Sequence, residues 1–218
     1  MDTLFLTMQR PASDVAFSPA VKTIQTQRGS RAVYARAEQS GGFESTISDD
    51  LRGFLAGIDT AFLATASADG QPYVQHRGGP PGFIRALDDH TLAFVDFAGN
   101  RQFVSTGNLS ENDRICLFLI DYAHRRRVKV WGTAKVVPAS PDLLAQLAQP
   151  GYKGRPEQIM LIAVTAWDVN CPQHIPQKVD AALAAAALTK AVAEAVAPLR
   201  ARIDQLEADN ARLRNQRA

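Results

Sequence analysis

The stretch TLAFVDFAGNRQFVSTGNLSENDRICLFLID, residues 91–121, contains the one local pattern in the sequence with an obvious reason to hold a charged ligand. Thr91 to Phe97 alternates well enough for a strand, Ala98-Gly99-Asn100 turns the chain, and Arg101 to Leu109 predicts a short helix. A second strand opens at Arg114, and its run Ile115 to Ile120 is apolar on both faces, as suits a strand covered on both sides. Strand end, tight turn and helix start thus converge on one spot. With Asn100 as N-cap and Arg101 beside it, the free N–H groups of the helix start favour an anion such as a phosphate monoester. The competing reading is a solvated Arg101 and an Asn100 that only turns the chain.

Working outward, Ala61 to Ser67 is a compact apolar strand, Asp69-Gly70 signals a hairpin, and Pro72 to Arg77 is the returning strand. Gly78-Gly79-Pro80-Pro81-Gly82 predicts a bend. Phe83 to Leu87 follows, and Asp88-Asp89-His90 turns it into the Thr91 strand. Downstream, Arg127 to Val137 alternates and Ile159 to Trp167 is a last strand. Seven strands in a meander with one inserted helix describe a mainly β protein with flanking helices, closed or nearly closed as an antiparallel barrel. A parallel doubly wound sheet is disfavoured, because helices do not alternate with the strands.

The flanks are helical. Residues 1–17 carry little pattern and are expected to be a loosely attached arm. Ser18-Pro19 opens a helix on which Val21, Ile24 and the Arg28 stem recur at helical spacing, and Gly29 ends it. Arg31 to Glu38 predicts a second helix, broken at Gly41-Gly42. Ser48 caps a third from Asp49 to Ala56, whose Leu51, Phe54 and Leu55, with Ile58, form an apolar face. All three are expected to be packing elements. Beyond the barrel, Ala181 to Ala197 is alanine-rich, Pro198 interrupts or restarts the helix, and Val196, Leu199, Ile203, Leu206, Asn210 and Leu213 fall on a and d positions of a heptad. A parallel pair would set Arg202 against Glu207 and Asp209 against Arg214. The alternative is an amphipathic helix folded back on its own barrel. The expected organisation is 1–58 arm and helices, 59–177 barrel, 178–218 helical tail with a short coiled coil.

Composition bounds the function classes. The chain has 218 residues, 46% of them hydrophobic, with a formal net charge of +2. That size supports one domain with appendages, and the near-neutral balance gives no argument for nucleic acid or a membrane surface, despite Arg125-Arg126-Arg127 and Lys129. No apolar run approaches the roughly 18–20 residues of a membrane span. The start MDTLFLTMQR lacks the basic flank and cleavage site of a secretory signal, so the expectation is a cytoplasmic protein. Cys116 and Cys171 make no disulfide framework. Cys171 and His174 alone do not fill a tetrahedral zinc shell, and no metal is expected.

The run DGQPYVQHRGGPPGFIRALDDHTLAFVDFAGNRQFVSTGNLSENDRICLFLIDYAHRRRVKVWG, residues 69–132, resembles the flavin-binding split barrel of the pyridoxamine 5'-phosphate oxidase superfamily, in particular its bacterial oxidase-like branch. The likeness extends from Phe62 to Val137. In the oxidases, Gly-Ser-Arg-Lys opening a helix and a segment like Glu-Asn-Asn-Pro-Arg before an apolar strand hold the phosphate of flavin mononucleotide (FMN). Here Gly99-Asn100-Arg101-Gln102 and Glu111-Asn112-Asp113-Arg114 stand in those places. The oxidases carry an arginine and a lysine on their second strand, whereas this chain has Gln75-His76-Arg77, and the helix lysine is Gln102. A glutamine that faces the isoalloxazine falls on Arg127, where a cation would stabilise negative charge on the reduced ring.

The resemblance implies an FMN-binding homodimer with flavin in the groove between subunits, acting as an oxidoreductase on a small molecule. It implies cofactor contacts from Gln75, His76, Arg77, Asn100, Arg101, Gln102, Ser105, Arg127 and Lys129. In the same branch an Asn-Cys-Pro-Gln-His stretch recurs after the last strand, which puts Gln173 and His174 in a loop near the flavin edge or substrate. A strand histidine such as His76 also serves as an ordinary hydrogen-bonded residue. The changed polar set argues against pyridoxamine phosphate as the substrate. Deazaflavin-dependent and haem-degrading relatives share the fold, and a non-catalytic flavin-binding or assembly protein is the reading from a different class.

Overall fold

The computed structural model describes residues 11–149 and 151–216. The chain divides into two compact units, the first running to Asp121 and from Arg125 to Ile175, the second formed by Tyr122–His124 with the chain from Pro176 onward.

The first unit is built on seven antiparallel strands: β1 (Thr60–Ala66), β2 (Pro72–Gly78), β3 (Arg85–Ala86), β4 (Thr91–Phe97), β5 (Arg114–Asp121), β6 (Arg126–Pro138) and β7 (Pro156–Asn170). Their order is β2-β1-β5-β6-β7-β4-β3. Seven antiparallel strands therefore stand, but the simple meander with one inserted helix does not, since one helix separates β4 from β5 and another separates β6 from β7. β2 does not pair with β3. The glycine–proline bend carries the chain to the far edge of the sheet, where β4 pairs with β7 in the register Thr91↔Ala163 to Phe97↔Pro156. Two features drive the departure. Gly82 has φ 78°, and a side chain there would crowd the Ala56 carbonyl oxygen at 3.2 Å. Phe83 and Ile84, expected as strand residues, are buried at 5% and 1% exposure and seat the bend in the core, leaving only two residues for β3.

Leu63, Leu117, Leu119, Val128, Val130, Met160 and Ile162 fill the interior. Alternation puts them there: β1 buries Ala61, Leu63 and Thr65 and leaves the residues between them half-covered. One helix, α3 (Asp49–Ala56), adds Leu51, Phe54 and Leu55 to the same core, and its Ser48 cap accepts the Leu51 N–H at 3.3 Å. A smaller cluster of Ala93, Val95, Leu147 and Ile159 lies under α5 (Pro141–Leu147). Ser140-Pro141, the same cap-and-proline signature as Ser18-Pro19, opens α5.

The other N-terminal helices pack differently from expectation. In α1 (Pro19–Gln27) the buried residue is Gln25, while Ile24 is 56% exposed; α2 (Arg31–Gln39) buries none. Polar links hold them instead, with Lys22 on Asp14 and Arg31 on both Gln25 and Glu38. Nor is the preceding segment loose. Ala12–Val15 forms a 3-10 turn with Ser13 buried, and the Phe17 ring meets Tyr34 and Phe43 at 5.2 and 5.3 Å. The arm's residues 1–10 lie outside the described residues.

In the second unit α6 spans Ala181–Asn215 without a break, Pro198 included. Asp180 caps it, accepting the Ala182 and Leu183 N–H groups at 2.8 and 3.0 Å. Before it, the Lys178 ammonium sits 4.2 Å from the Tyr122 ring centroid. By length and composition α6 is apolar enough to cross a membrane, which corrects the reading that no such run exists. Alanine dominates this run: it counts as apolar but offers little hydrophobic area per residue.

Candidate functional site

Alternation on β2 sends Tyr73, Gln75 and Arg77 to one face. That face meets the chain after β4 and the start of α4 (Val104–Glu111). The result is a polar cleft of about 270 Å³ lined by Gln75, Arg77, Asp96, Asn100–Val104, Ser105, Glu157 and Gln158. It lies at the split of the sheet, where β2 and β4 approach without a backbone ladder. Side chains bridge the gap. Arg77 pairs with Asp96, both nearly buried at 12% and 11% exposure. Gln158 donates to Asp96 and to Thr106, each at 2.9 Å, and the Ser105 hydroxyl donates to Gln75 at 2.7 Å.

The turn into α4 differs from the expected cap. The helix begins at Val104, not Arg101, and no side chain caps it. Asn100 instead accepts the Gln102 N–H at 3.2 Å, closing a local turn. Arg101 and Phe103 both take left-handed backbone, at φ 60° and 53°, which forbids a helix through them. Two such residues in three are costly, and strain of this kind concentrates at ligand clamps. The Arg101 guanidinium stands 5.6 Å from the Phe103 ring centroid and 3.6 Å from the Glu157 carboxylate.

What can this cleft hold? Its donors are two guanidinium groups, a serine hydroxyl and the start of an uncapped helix. The buried Nε of Arg77 has no hydrogen-bond partner among the described residues. A phosphate monoester satisfies that set. Asp96 is already taken up by Arg77 and Gln158, but Glu157 competes for Arg101. We therefore predict that Glu157→Gln tightens anion binding by roughly 1 kcal/mol, the scale of one exposed charge pair near 4 Å. Titration with inorganic phosphate or a phosphate monoester checks it, and weaker binding by the variant would remove Glu157 from the anion's surroundings.

The structure brings Gln75, Arg77, Asn100, Arg101, Gln102 and Ser105 to this one cleft. His76 is not in it. It projects from the opposite face of β2, edge-on to Phe62 at 5.7 Å between ring centroids. Arg127 and Lys129 line a separate cleft of about 470 Å³ with Glu38, Phe43, Trp131 and Asp168, roofed by the N-terminal helices. There Phe43 stacks on Trp131 at 5.3 Å, and burial raises the Asp168 carboxyl while Lys129 opposes that shift. Arg127 also keeps a buried Nε without a partner among the described residues. Among the described residues, none lines both clefts. Gln173 and His174 lie in an exposed turn, His174 at φ 64°, beyond the Cys171 edge of the second cleft. Sequence reading missed Asp96, Glu157 and Gln158. The buried acid in the otherwise apolar LAFVDF strand was the available signal.

Solved structures to which this chain is similar include HupZ of Group A Streptococcus, at 21% identity and TM-score 0.47 over 61% of this chain and 99% of that one. An FMN-binding protein of Syntrophomonas wolfei matches at 9% identity and TM-score 0.45, covering 70% and 95% of the two chains. An F420 reductase matches at 22% identity and TM-score 0.39, covering 54% and 94%. No curated protein matches the sequence. The family model described as pyridoxamine 5'-phosphate oxidase matches residues 47–171, from just before α3 through the last strand and more than half of the chain. The chain belongs to the pyridoxamine 5'-phosphate oxidase family.

Proposed function

We propose that the protein binds FMN and works as an oxidoreductase on a small organic molecule, with the flavin phosphate in the cleft at the split of the sheet. Family membership supports the cofactor class. The observation that carries the assignment to this cleft is the gathering of Arg77, Arg101 and the uncapped start of α4 around one polar cleft. Arg77, Arg101, Ser105 and the backbone of the Asn100–Val104 turn would hold the phosphate. Bound there, FMN supplies hydride chemistry, and the chain supplies orientation, charge and exclusion of water.

Arg127 and Lys129 lie in a cleft that shares no residue with the first. We infer that one flavin contacts both sets across two subunits, each giving one set. The proposal therefore includes a homodimer, with flavin occupancy stabilising it by mass action.

The test is a pair of titrations. Arg101→Ala weakens FMN by roughly 1.5–3 kcal/mol, the scale of a lost charged hydrogen bond, and leaves riboflavin, which lacks the phosphate, unaffected. Equal FMN affinity in variant and wild type would take the phosphate away from this cleft. An equal loss for both flavins would move Arg101 to the ring.

A further inference from the structure

No residue of α6 is buried along its 35 residues, a rod of about 52 Å at 1.5 Å per residue. Leu199, Ile203, Leu206 and Leu213 are 64%, 54%, 44% and 52% exposed, and Val192 is 52%. Their spacing joins them into one seam. Thr189, Val196, Ile203 and Asn210 occupy a, and Val192, Leu199, Leu206 and Leu213 occupy d. Pro198 falls at c, away from the seam.

We propose that α6 pairs with the α6 of a second copy of this chain as a parallel, in-register, two-stranded coiled coil over Thr189–Leu213. Three features choose that occupant. β-Branched residues at a with leucine at d favour two parallel strands. The flanking charges fit: in register, Arg202 at g faces Glu207 at e′ and Asp209 at g faces Arg214 at e′, each twice by symmetry. Charge alone does not fix direction, because an antiparallel pair would also set Arg202 against Asp209. Asn210 does. A parallel pair lays Asn210 on its own copy, whereas the antiparallel register that sets Arg202 against Asp209 buries it against Leu199, leaving an amide without a partner.

Lipid is the other candidate cover. It suits the alanine-rich half of α6 only. From Leu199 to Leu213 the helix carries Arg200, Arg202, Asp204, Glu207, Asp209 and Arg212, a density that hydrocarbon does not accept.

The decisive experiment uses the full chain in a Cys171→Ser background. Asn210→Cys puts a thiol at an a position, and Ala208→Cys puts one at f on the outside. Under mild oxidation the Asn210→Cys protein is expected to form a covalent dimer and the Ala208→Cys protein to form little. In the same background, Arg202→Glu should cut the yield of the Asn210→Cys cross-link several-fold at low salt, and adding Glu207→Arg should restore it. Residues five apart do not meet on one helix, so rescue reports contact between chains. No cross-link at 210, or equal cross-linking at 208 and 210, overturns the proposal. So does a cross-link between Asn210→Cys and Leu199→Cys chains in place of the 210–210 product, which reports an antiparallel pair. Sedimentation of uncross-linked protein with neutral phosphatidylcholine vesicles assigns the helix to lipid and overturns it as well. Flavin titration of the same variants is a separate readout, so failure of the coil and failure of the FMN assignment are told apart.

Discussion

Gly132→Ala destabilises the barrel by about 3 kcal/mol or more, as a forced overpacking against backbone. Gly132 is buried in β6 where the pairing with β7 slips: Trp131 lies opposite Ala166, but Gly132 lies opposite Val164. A β-carbon there would sit 2.0 Å from the Ala163 carbonyl oxygen and 3.0 Å from its carbon. Backbone cannot swing aside as a side chain can. The bulge is also where β7 leaves β4, its partner up to Ala163. Past that point the chain finds other acceptors, Val164 N–H on His90 and Trp167 N–H on Glu44, at 2.8 and 2.7 Å. Relieving the clash would disturb both. Urea unfolding checks the effect, with Gly107→Ala as the contrast. Gly107 lies in α4 with open space at its β-carbon position, so alanine there should stabilise by up to about 1 kcal/mol. A Gly132→Ala midpoint equal to wild type would mean that the bulge is not held by this close approach.

Gly132 also shows which parts of the fold were legible beforehand. The alternation ending in Trp131-Gly132 marked a strand, and strand-forming residues placed all seven strands within a few positions, because each reports only its own burial. Pairing is a long-range property and was not legible. Nothing in Pro72–Gly78 says that its second edge stays unpaired, and the glycine–proline bend reads equally well as a return or a crossing. At the cleft, local chemistry pointed to Arg101 and Asn100 through turn-forming residues. The left-handed Arg101 and Phe103 could not be read, since neither residue type favours that region and only the surrounding fold holds them there. His76 shows the limit of adjacency. It neighbours two cleft residues in sequence, yet a strand sends it to the other face.

Breaking the Arg77–Asp96 pair from one side should cost roughly 3–5 kcal/mol, the range for stranding one charge of a buried pair. The geometry gives the reason. Both side chains are close to 90% covered, and the pair spans β2 and β4 where no backbone hydrogen bonds join them. Asp96 is further fixed by Gln158, which also holds Thr106 on α4, so this cluster closes the split in the sheet. Asp96→Leu leaves the Arg77 charge uncompensated, and Arg77→Met leaves a bare carboxylate with one amide donor. Replacing both residues together removes the charges and their desolvation cost, so Arg77→Met with Asp96→Leu should recover most of the lost stability. The double variant then separates two roles of Arg77 that either single change confounds. Urea unfolding of the two single variants and the double gives the coupling, and FMN titration of the stable double gives the ligand role. Recovered stability with FMN affinity lost is the expected pair of results. Additive destabilisation would show that the pair is not coupled across the split, while full stability with unchanged FMN binding would leave the closure intact and take Arg77 out of the phosphate site.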